Sequence, residues 1–474
     1  MPTHAAPSRR AAALGITSLI ATIALSAGAL TTLGGWPARV PLHLAFYVVA
    51  GLAWLVAIAS LRRTAPTKRV FAFALVAGLG LRVLALATPP AHSDDVYRYL
   101  WDARVQQHGI NPYLYAPEVP ALSPLRDDNF AKMNNRQLPT IYPPAAQLFF
   151  RLSARPAAPL AGWKLAVGAS ELATAALLYV GAGPTAALGW LLSPLVLVEL
   201  DVNGHVDALA IALLCAALVA LQRSRRAVAG ALLGAATAVK LLPIFLIVAL
   251  RDWRLRLAAL GLIAACVLPY AGAGTRMVGS LGEYGRRWRS NDGAFSLLYV
   301  GAQAIVGVIG KRAPTDETRL GSWTRLVTGR DRDEAYPDEL ASALARALAF
   351  GCFVMVVTGA AWSARRRALA PYDHALHLTE LGLGAFLLLT PALHPWYVVW
   401  CLPAVLLGAG KPSGRSAAWL WMAATAPLGH LPLVAYLAGS PWHEALWPRL
   451  VEHVPALVLV TASLRRLSSR TNVV

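Results

Sequence analysis

The chain has 474 residues, of which 57% are hydrophobic and only 14% are charged. Soluble domains carry roughly a quarter charged residues, so this composition excludes a soluble globular protein. The net charge of +19 does not predict nucleic-acid binding, because Lys and Arg form short clusters at the ends of apolar runs. The clusters lie at residues 62–69, 223–226, 251–256, 365–367 and 465–470. Basic residues placed in this way orient membrane helices and bind anionic lipid headgroups.

Apolar runs predict the fold, because each is long enough to cross a bilayer about 30 Å thick. They lie near residues 12–33, 41–61, 70–88, 161–180, 185–200, 206–221, 228–250, 257–272, 294–310, 341–362, 376–391, 395–409, 416–437 and 448–464. We expect an all-helical protein with 12 to 14 transmembrane helices in one multi-pass domain, residues 1–474. The first run is expected to remain as a helix rather than to be cleaved as a signal peptide, because further spans follow it.

The middle of the chain leaves one alternative open. The run at 228–250 is either one span or two short helices broken near Lys240 and Pro243. Residues 311–340 form a polar loop to which no chemistry is assigned. Four cysteines lie far apart inside apolar runs, so they predict neither a disulfide framework nor a metal site. They are Cys215, Cys266, Cys352 and Cys401.

Basic residues near the N-terminus predict the orientation of the chain. Arg9 and Arg10 place the N-terminus in the cytoplasm, so the basic turn at 62–69 is also cytoplasmic. Residues 89–160 then form a loop on the outer side of the plasma or inner membrane. This loop is the densest concentration of polar groups in the chain, and we expect the chemistry to take place there.

An acidic pair opens the loop, since Asp94 and Asp95 directly follow the third predicted span. Carboxylates are costly near hydrocarbon, so their position indicates a function. At a membrane–water boundary a carboxylate suits a general base that activates a hydroxyl group. The alternative is that Asp94 only caps the following helix. That helix is expected to be amphipathic and to lie on the membrane, because residues 94, 98, 101 and 105 share one face.

Aromatic and amide side chains follow the acidic pair on the same loop. The candidates for contact with a sugar or an acceptor are Tyr97, Arg98, Asn111, Tyr113 and Tyr142. Asn-Pro and Pro-Pro sequences stiffen the loop, and a tyrosine ring can stack on a sugar or pack at the lipid interface. Each motif is weak alone, and the prediction depends on their order and their closeness to the acids.

A second polar group lies in the sequence ELDVNGHVD, between two apolar runs. Asn203, His205 and Asp207, with Glu199 and Asp201 nearby, are expected to contact the acceptor or to bind a divalent cation, for which Asp and His are suitable ligands. The alternative is a solvated turn in which Asp207 caps the next helix.

Cations and aromatic residues of later segments complete the candidate site. Lys240, a lone lysine in an apolar run, either meets an anion such as a lipid phosphate or extends to the membrane surface. Arg286, Arg287, Arg289 and His394 could hold the same phosphate, although each arginine taken singly could equally be an interfacial anchor. The last candidates for sugar contact are Trp396 and Tyr397 in HPWYVVWCLP. They could instead form an aromatic belt capped by His394.

The loop sequence SDDVYRYLWDARVQQHGINPY, together with PTIYPP, resembles the first extracytoplasmic loop of the GT-C superfamily of polyprenyl-phosphate-sugar-dependent glycosyltransferases. It is most similar to bacterial mannosyltransferases of the family-87 and α-1,6-mannopyranosyltransferase type. The stretches ELDVNGHVD, GAATAVKLLP and HPWYVVWCLP fit the same family, so the resemblance covers residues from about 92 to 404. It implies that the catalytic carboxylate is on this loop, as Asp94 or Asp95, and leaves the choice between them open.

The resemblance implies an enzyme that moves mannose from a polyprenyl-phosphate carrier to a glycolipid or polysaccharide acceptor with inversion. No cofactor is expected apart from the divalent cation already left open, and membrane lipids are the other partners. Transfer of arabinose, glucose or an aminosugar by the same mechanism is the nearest alternative. A transporter or lipid flippase is the alternative of a different class. It would place its acids on central helices at the bilayer midplane rather than on an exit loop.

Overall fold

A computed structural model of the chain describes residues 9–33, 39–310, 336–408, 414–437, 441 and 443–471. These residues form helices and connecting turns and contain no strand, apart from an isolated parallel bridge between Ser290 and Ala392. The prediction of an all-helical, multi-pass membrane protein is confirmed. Most of the predicted polar loop at 311–340 lies outside the described residues.

Within the described ranges, six helices are long and apolar enough to cross a membrane. They are Arg10–Thr32, Val40–Thr64, Lys68–Ala87, Pro159–Ala182, Trp253–Arg286 and Asp338–Arg366. A seventh crossing results if Pro184–Leu191 and Pro194–Val202, which are bent by 47°, form one span. Shorter apolar helices are Asp207–Gln222, Arg226–Val239, Ala294–Gly307 and Pro395–Leu407. The number of 12 to 14 crossings stays a prediction.

The remaining helices are short or more polar, and several of them surround the loop that carries the acidic pair. The α-helices are Asp95–Gln107, Asp128–Lys132, Pro144–Ser153, Ile244–Ala249, Leu281–Arg287, Pro371–Leu389, Gly414–Thr425, Leu431–Leu437 and Leu446–Thr471. The helices Pro120–Leu125, Leu268–Val278 and Ala426–His430 are of the 3-10 type, and Leu197–Val202 is a π-helix. Leu268–Val278 and most of Leu281–Arg287 are parts of the long segment Trp253–Arg286 named above, and Leu197–Val202 is part of Pro194–Val202.

The apolar run at 228–250 is broken, as one of the two alternatives predicted. The helix Arg226–Val239 ends before Lys240, and the next helix begins at Ile244. Pro243 precedes that second helix, and proline cannot continue a helix that comes before it because it lacks a backbone N–H. The break leaves Lys240 in extended backbone conformation between the two helices.

Two glycines allow the first of these helices to pack closely on its neighbour. At Gly230 and Gly234 a methyl group would collide with the backbone carbonyl oxygens of Leu255 and Ala259, on the helix Trp253–Val267. Small residues four apart permit this approach of two helix backbones in membranes.

The helix Asp95–Gln107 is enclosed by protein on most sides. Nine of its residues are buried, among them Tyr99, Trp101 and Asp102, and it packs against Pro144–Ser153. The helix itself was predicted, but it does not present a broad apolar face to the outside. Its location at the membrane interface stays a prediction.

Candidate active site

A cavity of about 1420 Å³ lies beside the acidic pair. Its wall contains acids, cations and aromatic residues. These include Asp94, Asp95, Tyr97, Arg98, Lys132, Tyr142, Lys240, Arg289, Arg346, His394, Trp396 and Tyr397. Another part of the wall is apolar and contains Leu241, Ile244, Phe245, Ala349, Phe350, Phe353 and Leu389. This lining suits an amphipathic molecule with one polar and one apolar end.

The acidic pair begins the helix Asp95–Gln107. Asp94 occupies the N-cap position, but its side chain makes no capping hydrogen bond. Its Oδ1 instead accepts a hydrogen bond of 2.7 Å from the amide of Asn134, while the backbone N–H of Asp95 donates to the hydroxyl of Ser93. The capping alternative is therefore not observed for Asp94.

Asp95 has an unusual electrostatic environment. Burial raises the pKa of its carboxyl to about 7, and the charges of Asp94 and Asp207 add to that effect. Lys240 and a hydrogen bond from Tyr142 act in the opposite direction. Burial also raises the pKa of Asp94, against hydrogen bonds that lower it. A carboxyl with a pKa near neutrality suits a general base.

Asn203 ties the start of the loop to the π-helix Leu197–Val202. Its side-chain oxygen accepts hydrogen bonds of 3.2 Å from the backbone N–H groups of Ala91 and His92. Its amide nitrogen donates to Glu199 at 3.1 Å. Gly204 follows with φ of 72°, a conformation that favours glycine. Asn203 thus positions the loop and does not line the cavity.

His205 lies behind Asp95 and is completely buried. Its Nδ1 is 3.7 Å from Asp95 and its Nε2 is 3.7 Å from Glu199. The ring stacks on Trp396 at a centroid distance of 4.0 Å. The geometry brings His205 to the acidic pair, but Trp396 is the member of this stack that faces the cavity.

Lys240 has a protein partner, since its Nζ is 2.8 Å from both carboxylate oxygens of Asp207. Trp400 donates a hydrogen bond of 2.6 Å to the same carboxylate, so Asp207 does not act as a helix cap. Lys240 also lies over the ring of Tyr397 at 4.9 Å. Its side chain remains 24% exposed and lines the cavity.

His394, Trp396 and Tyr397 all line the cavity. The rings of His394 and Trp396 stack at 4.4 Å, and the hydroxyl of Tyr397 is 3.0 Å from that of Tyr284. Trp396 is buried, which does not fit a belt residue exposed to lipid. The structure thus brings this segment, the loop acids and Lys240 to one cavity.

The predicted arginines differ in their position relative to the cavity. Arg286 is exposed, pairs with Glu283 at 3.2 Å and lies outside the cavity lining. The side chain of Arg287 is not among those that the structure describes. Arg289, the third predicted arginine, lines the cavity wall, and so does Arg346. Arg346 was missed, although a lone arginine in the apolar run at 341–362 was a usable signal, because such residues face protein interiors or cavities.

The loop candidates divide into two groups. Tyr97, Arg98 and Tyr142 line the cavity. Asn111 and Tyr113 do not line the cavity. The side-chain oxygen of Asn111 accepts a hydrogen bond from the backbone N–H of Tyr113, and the hydroxyl of Tyr113 donates one of 2.6 Å to the carbonyl of Tyr142. Asn111 and Tyr113 shape the loop rather than face the space where a sugar would bind.

One group of side chains in the described part of the chain could hold a metal ion. The ligand atoms of His92, Glu199 and His430 lie within 4.8 Å of one another, and all three residues are buried. His92 and His430 were not predicted as ligands. They are 111 and 231 residues from their partners Asn203 and Glu199, and sequence spacing gave no sign of the contact.

Comparison with known families agrees with the resemblance found in the sequence. Residues 11–253 match the model of the alpha-(1->6)-mannopyranosyltransferase N-terminal domain. Residues 140–391 match the model of glycosyltransferase family 87. No curated protein and no solved structure matches the chain significantly.

Proposed function

Because the chain belongs to glycosyltransferase family 87, whose model matches more than half of it, we propose a sugar, a donor and an acceptor for the transfer that it catalyses. It is a membrane glycosyltransferase, with mannose as the sugar that the second family model favours. The proposal is that it moves mannose from a polyprenyl-phosphate carrier to a glycan or glycolipid acceptor. The reaction takes place on the extracytoplasmic side of the plasma or inner membrane.

One observation carries this proposal: carboxylates and cations face the same cavity as an apolar wall. Asp95 and Lys240 line the polar part, and Ile244 and Phe350 line the apolar part. The side chains of Ile244 and Phe350 are 49% and 69% exposed, so this wall is accessible from outside the protein. An enzyme that uses a lipid-linked sugar phosphate needs an apolar groove for the lipid chain, a cation for the phosphate and a base for the acceptor hydroxyl.

The chemistry follows from the residues. The acceptor hydroxyl attacks the anomeric carbon, the bond to the phosphate oxygen breaks, and the centre is inverted. Asp95 takes the hydroxyl proton. Lys240, Arg289 and Arg346 stabilise the negative charge on the departing phosphate. His394 lies on the same wall and hydrogen-bonds that phosphate.

We assign the base to Asp95 rather than Asp94. Asp95 has its carboxyl pKa near 7 and Lys240 close enough to influence it. Asp94 is held by the amide of Asn134, which suits a role in shaping the loop or binding the acceptor. Tyr97, Arg98 and Tyr142 on the same loop line the cavity, which supports a role for them in contacting the sugar or the acceptor.

Purified protein in detergent, given polyprenyl-phosphate mannose and a synthetic α-1,6-mannoside, tests the proposal. The expected product is the mannoside extended by one mannose. Parallel reactions with polyprenyl-phosphate glucose and arabinose test the other sugars. Reconstituted liposomes test the transporter alternative, because a flippase would move the intact donor across the membrane without cleaving it. Absence of sugar transfer from every carrier would overturn the proposal.

A further inference from the structure

Three buried side chains from distant segments meet at the wall of the cavity. His92 precedes the acidic pair, Glu199 is in the π-helix Leu197–Val202, and His430 ends the 3-10 helix Ala426–His430. Their ligand atoms lie within 4.8 Å of one another. The rings of His92 and His430 stack at a centroid distance of 4.4 Å. His92 and His430 also line the cavity, so the group is accessible from it.

The charge of Glu199 has no fixed cation beside it. Its carboxylate is completely buried, and in the described chain its ion-pair partners within 4 Å are the imidazoles of His430 and His205. No Lys or Arg among these residues forms an ion pair with it. A buried carboxylate is costly unless it is paired or coordinates a metal. Two imidazoles and a carboxylate are a ligand set that divalent transition metals prefer.

Neighbouring side chains hydrogen-bond and pack against the three candidate ligands, as residues next to metal ligands commonly do in metalloproteins. Tyr47 donates a hydrogen bond of 3.1 Å to Glu199, and Asn203 donates another of 3.1 Å. The ring of His43 packs against His92 at 4.8 Å, with its Nδ1 2.9 Å from the carbonyl of Ala29. Hydrogen bonds to a ligating carboxylate fix its orientation and strengthen metal binding.

We propose that His92, Glu199 and His430 bind one divalent transition-metal ion, with Zn²⁺ as the best match to the ligands. Bonds of about 2.1 Å would place tetrahedral ligand atoms about 3.4 Å apart. The three ligand atoms therefore need to move by only about an ångström. A water molecule from the cavity supplies the fourth ligand. The ion cross-links the start of the loop to two other segments and holds the acidic pair in place.

The experiment measures metal binding without any sugar donor, so its result is independent of the proposed transfer reaction. Full-length protein in detergent is stripped with a chelator and titrated with Zn²⁺ or Co²⁺ alone. Bound metal is counted by mass spectrometry after desalting, and Co²⁺ is followed by its visible absorption. The variants are Glu199→Gln and His430→Gln. His108→Gln is the matched control, because His108 is exposed on the loop.

The expected result is one metal ion per chain for the wild type and for His108→Gln, with a rise in apparent Tm on addition of Zn²⁺. Glu199→Gln and His430→Gln should bind at least about tenfold more weakly and lose that rise. Wild-type protein that retains no metal after desalting would overturn the proposal, and this result does not depend on any variant folding. Equal binding by the wild type and both variants would also overturn it.

Discussion

Lys240 and Asp207 form an ion pair in which both Nζ–oxygen distances are 2.8 Å. The pair lies at the break between two short apolar helices, and its lysine still reaches the cavity. A lysine placed among apolar helices needs such a partner. A bound phosphate would therefore share Lys240 with Asp207 rather than meet an isolated cation.

Removing Lys240 should reduce both stability and donor binding. Lys240→Met leaves the buried carboxylate of Asp207 without its cation, which costs about 3–5 kcal/mol. It should also raise KM for the donor about tenfold or more, because a charge-assisted hydrogen bond is worth roughly 1.5–3 kcal/mol. Thermal unfolding and steady-state kinetics measure the two effects.

The double variant Lys240→Met/Asp207→Asn separates these effects, because it removes both charges. It should recover most of the lost stability while KM for the donor remains high. Recovery of both quantities would mean that the ion pair is structural and that Lys240 does not contact the phosphate.

The transfer rate should depend on pH through Asp95. Its carboxyl has a raised pKa of about 7, so below that pH it carries a proton and cannot accept another. Under conditions where the donor is limiting, kcat/KM should rise about tenfold per pH unit up to about pH 7 and then level off. A profile that is flat between pH 5 and 8 would exclude Asp95 as the base.

Arg346 and Arg286 provide a matched pair of arginines. Arg346 lines the cavity, whereas Arg286 is 58% exposed and pairs with Glu283. Arg346→Gln should raise KM for the donor roughly tenfold to a hundredfold, and Arg286→Gln should leave it almost unchanged. A larger rise in KM for Arg286→Gln than for Arg346→Gln would instead favour Arg286 as the phosphate ligand, as the sequence alone predicted.

A second buried ion pair lies away from the cavity wall. Arg82 donates to both carboxylate oxygens of Glu171, at 3.1 and 2.6 Å, and Asp201 lies 3.7 Å from the same guanidinium. Glu171→Ala should lower the free energy of unfolding by about 3–5 kcal/mol. Glu283→Gln, which breaks an exposed pair, should change it by at most about 1 kcal/mol. Unfolding of both variants in one detergent checks the comparison.

The sequence singled out those residues of the cavity lining whose types are costly in a membrane. Asp94, Asp95 and Lys240 stood out because charges next to hydrocarbon need a reason, and all three line the cavity. The break near Pro243 was also one of the stated alternatives. The helical class followed from the length and spacing of the apolar runs, which need no knowledge of the tertiary structure.

The rest depended on contacts between distant segments, which a single sequence does not reveal. Asp207 and Lys240 are 33 residues apart, and Glu199 and His430 are 231 residues apart. Arg286 looked suitable for the phosphate by its local context, but the helix Leu281–Arg287 points it away from the cavity lining. The hydroxyl of Tyr113 donates a hydrogen bond to the carbonyl of Tyr142 within the loop, so Tyr113 does not face the cavity.

The role of Asp95 as the general base is tested most directly by the initial rate of mannose transfer by the wild type, Asp95→Asn and Asp94→Asn under identical conditions. Asparagine keeps the shape of the side chain but cannot accept the proton. We expect Asp95→Asn to lower kcat by about 10²–10⁴-fold, with KM for the donor changing much less, and Asp94→Asn to retain clearly more activity. Full activity of Asp95→Asn would exclude Asp95 as the general base.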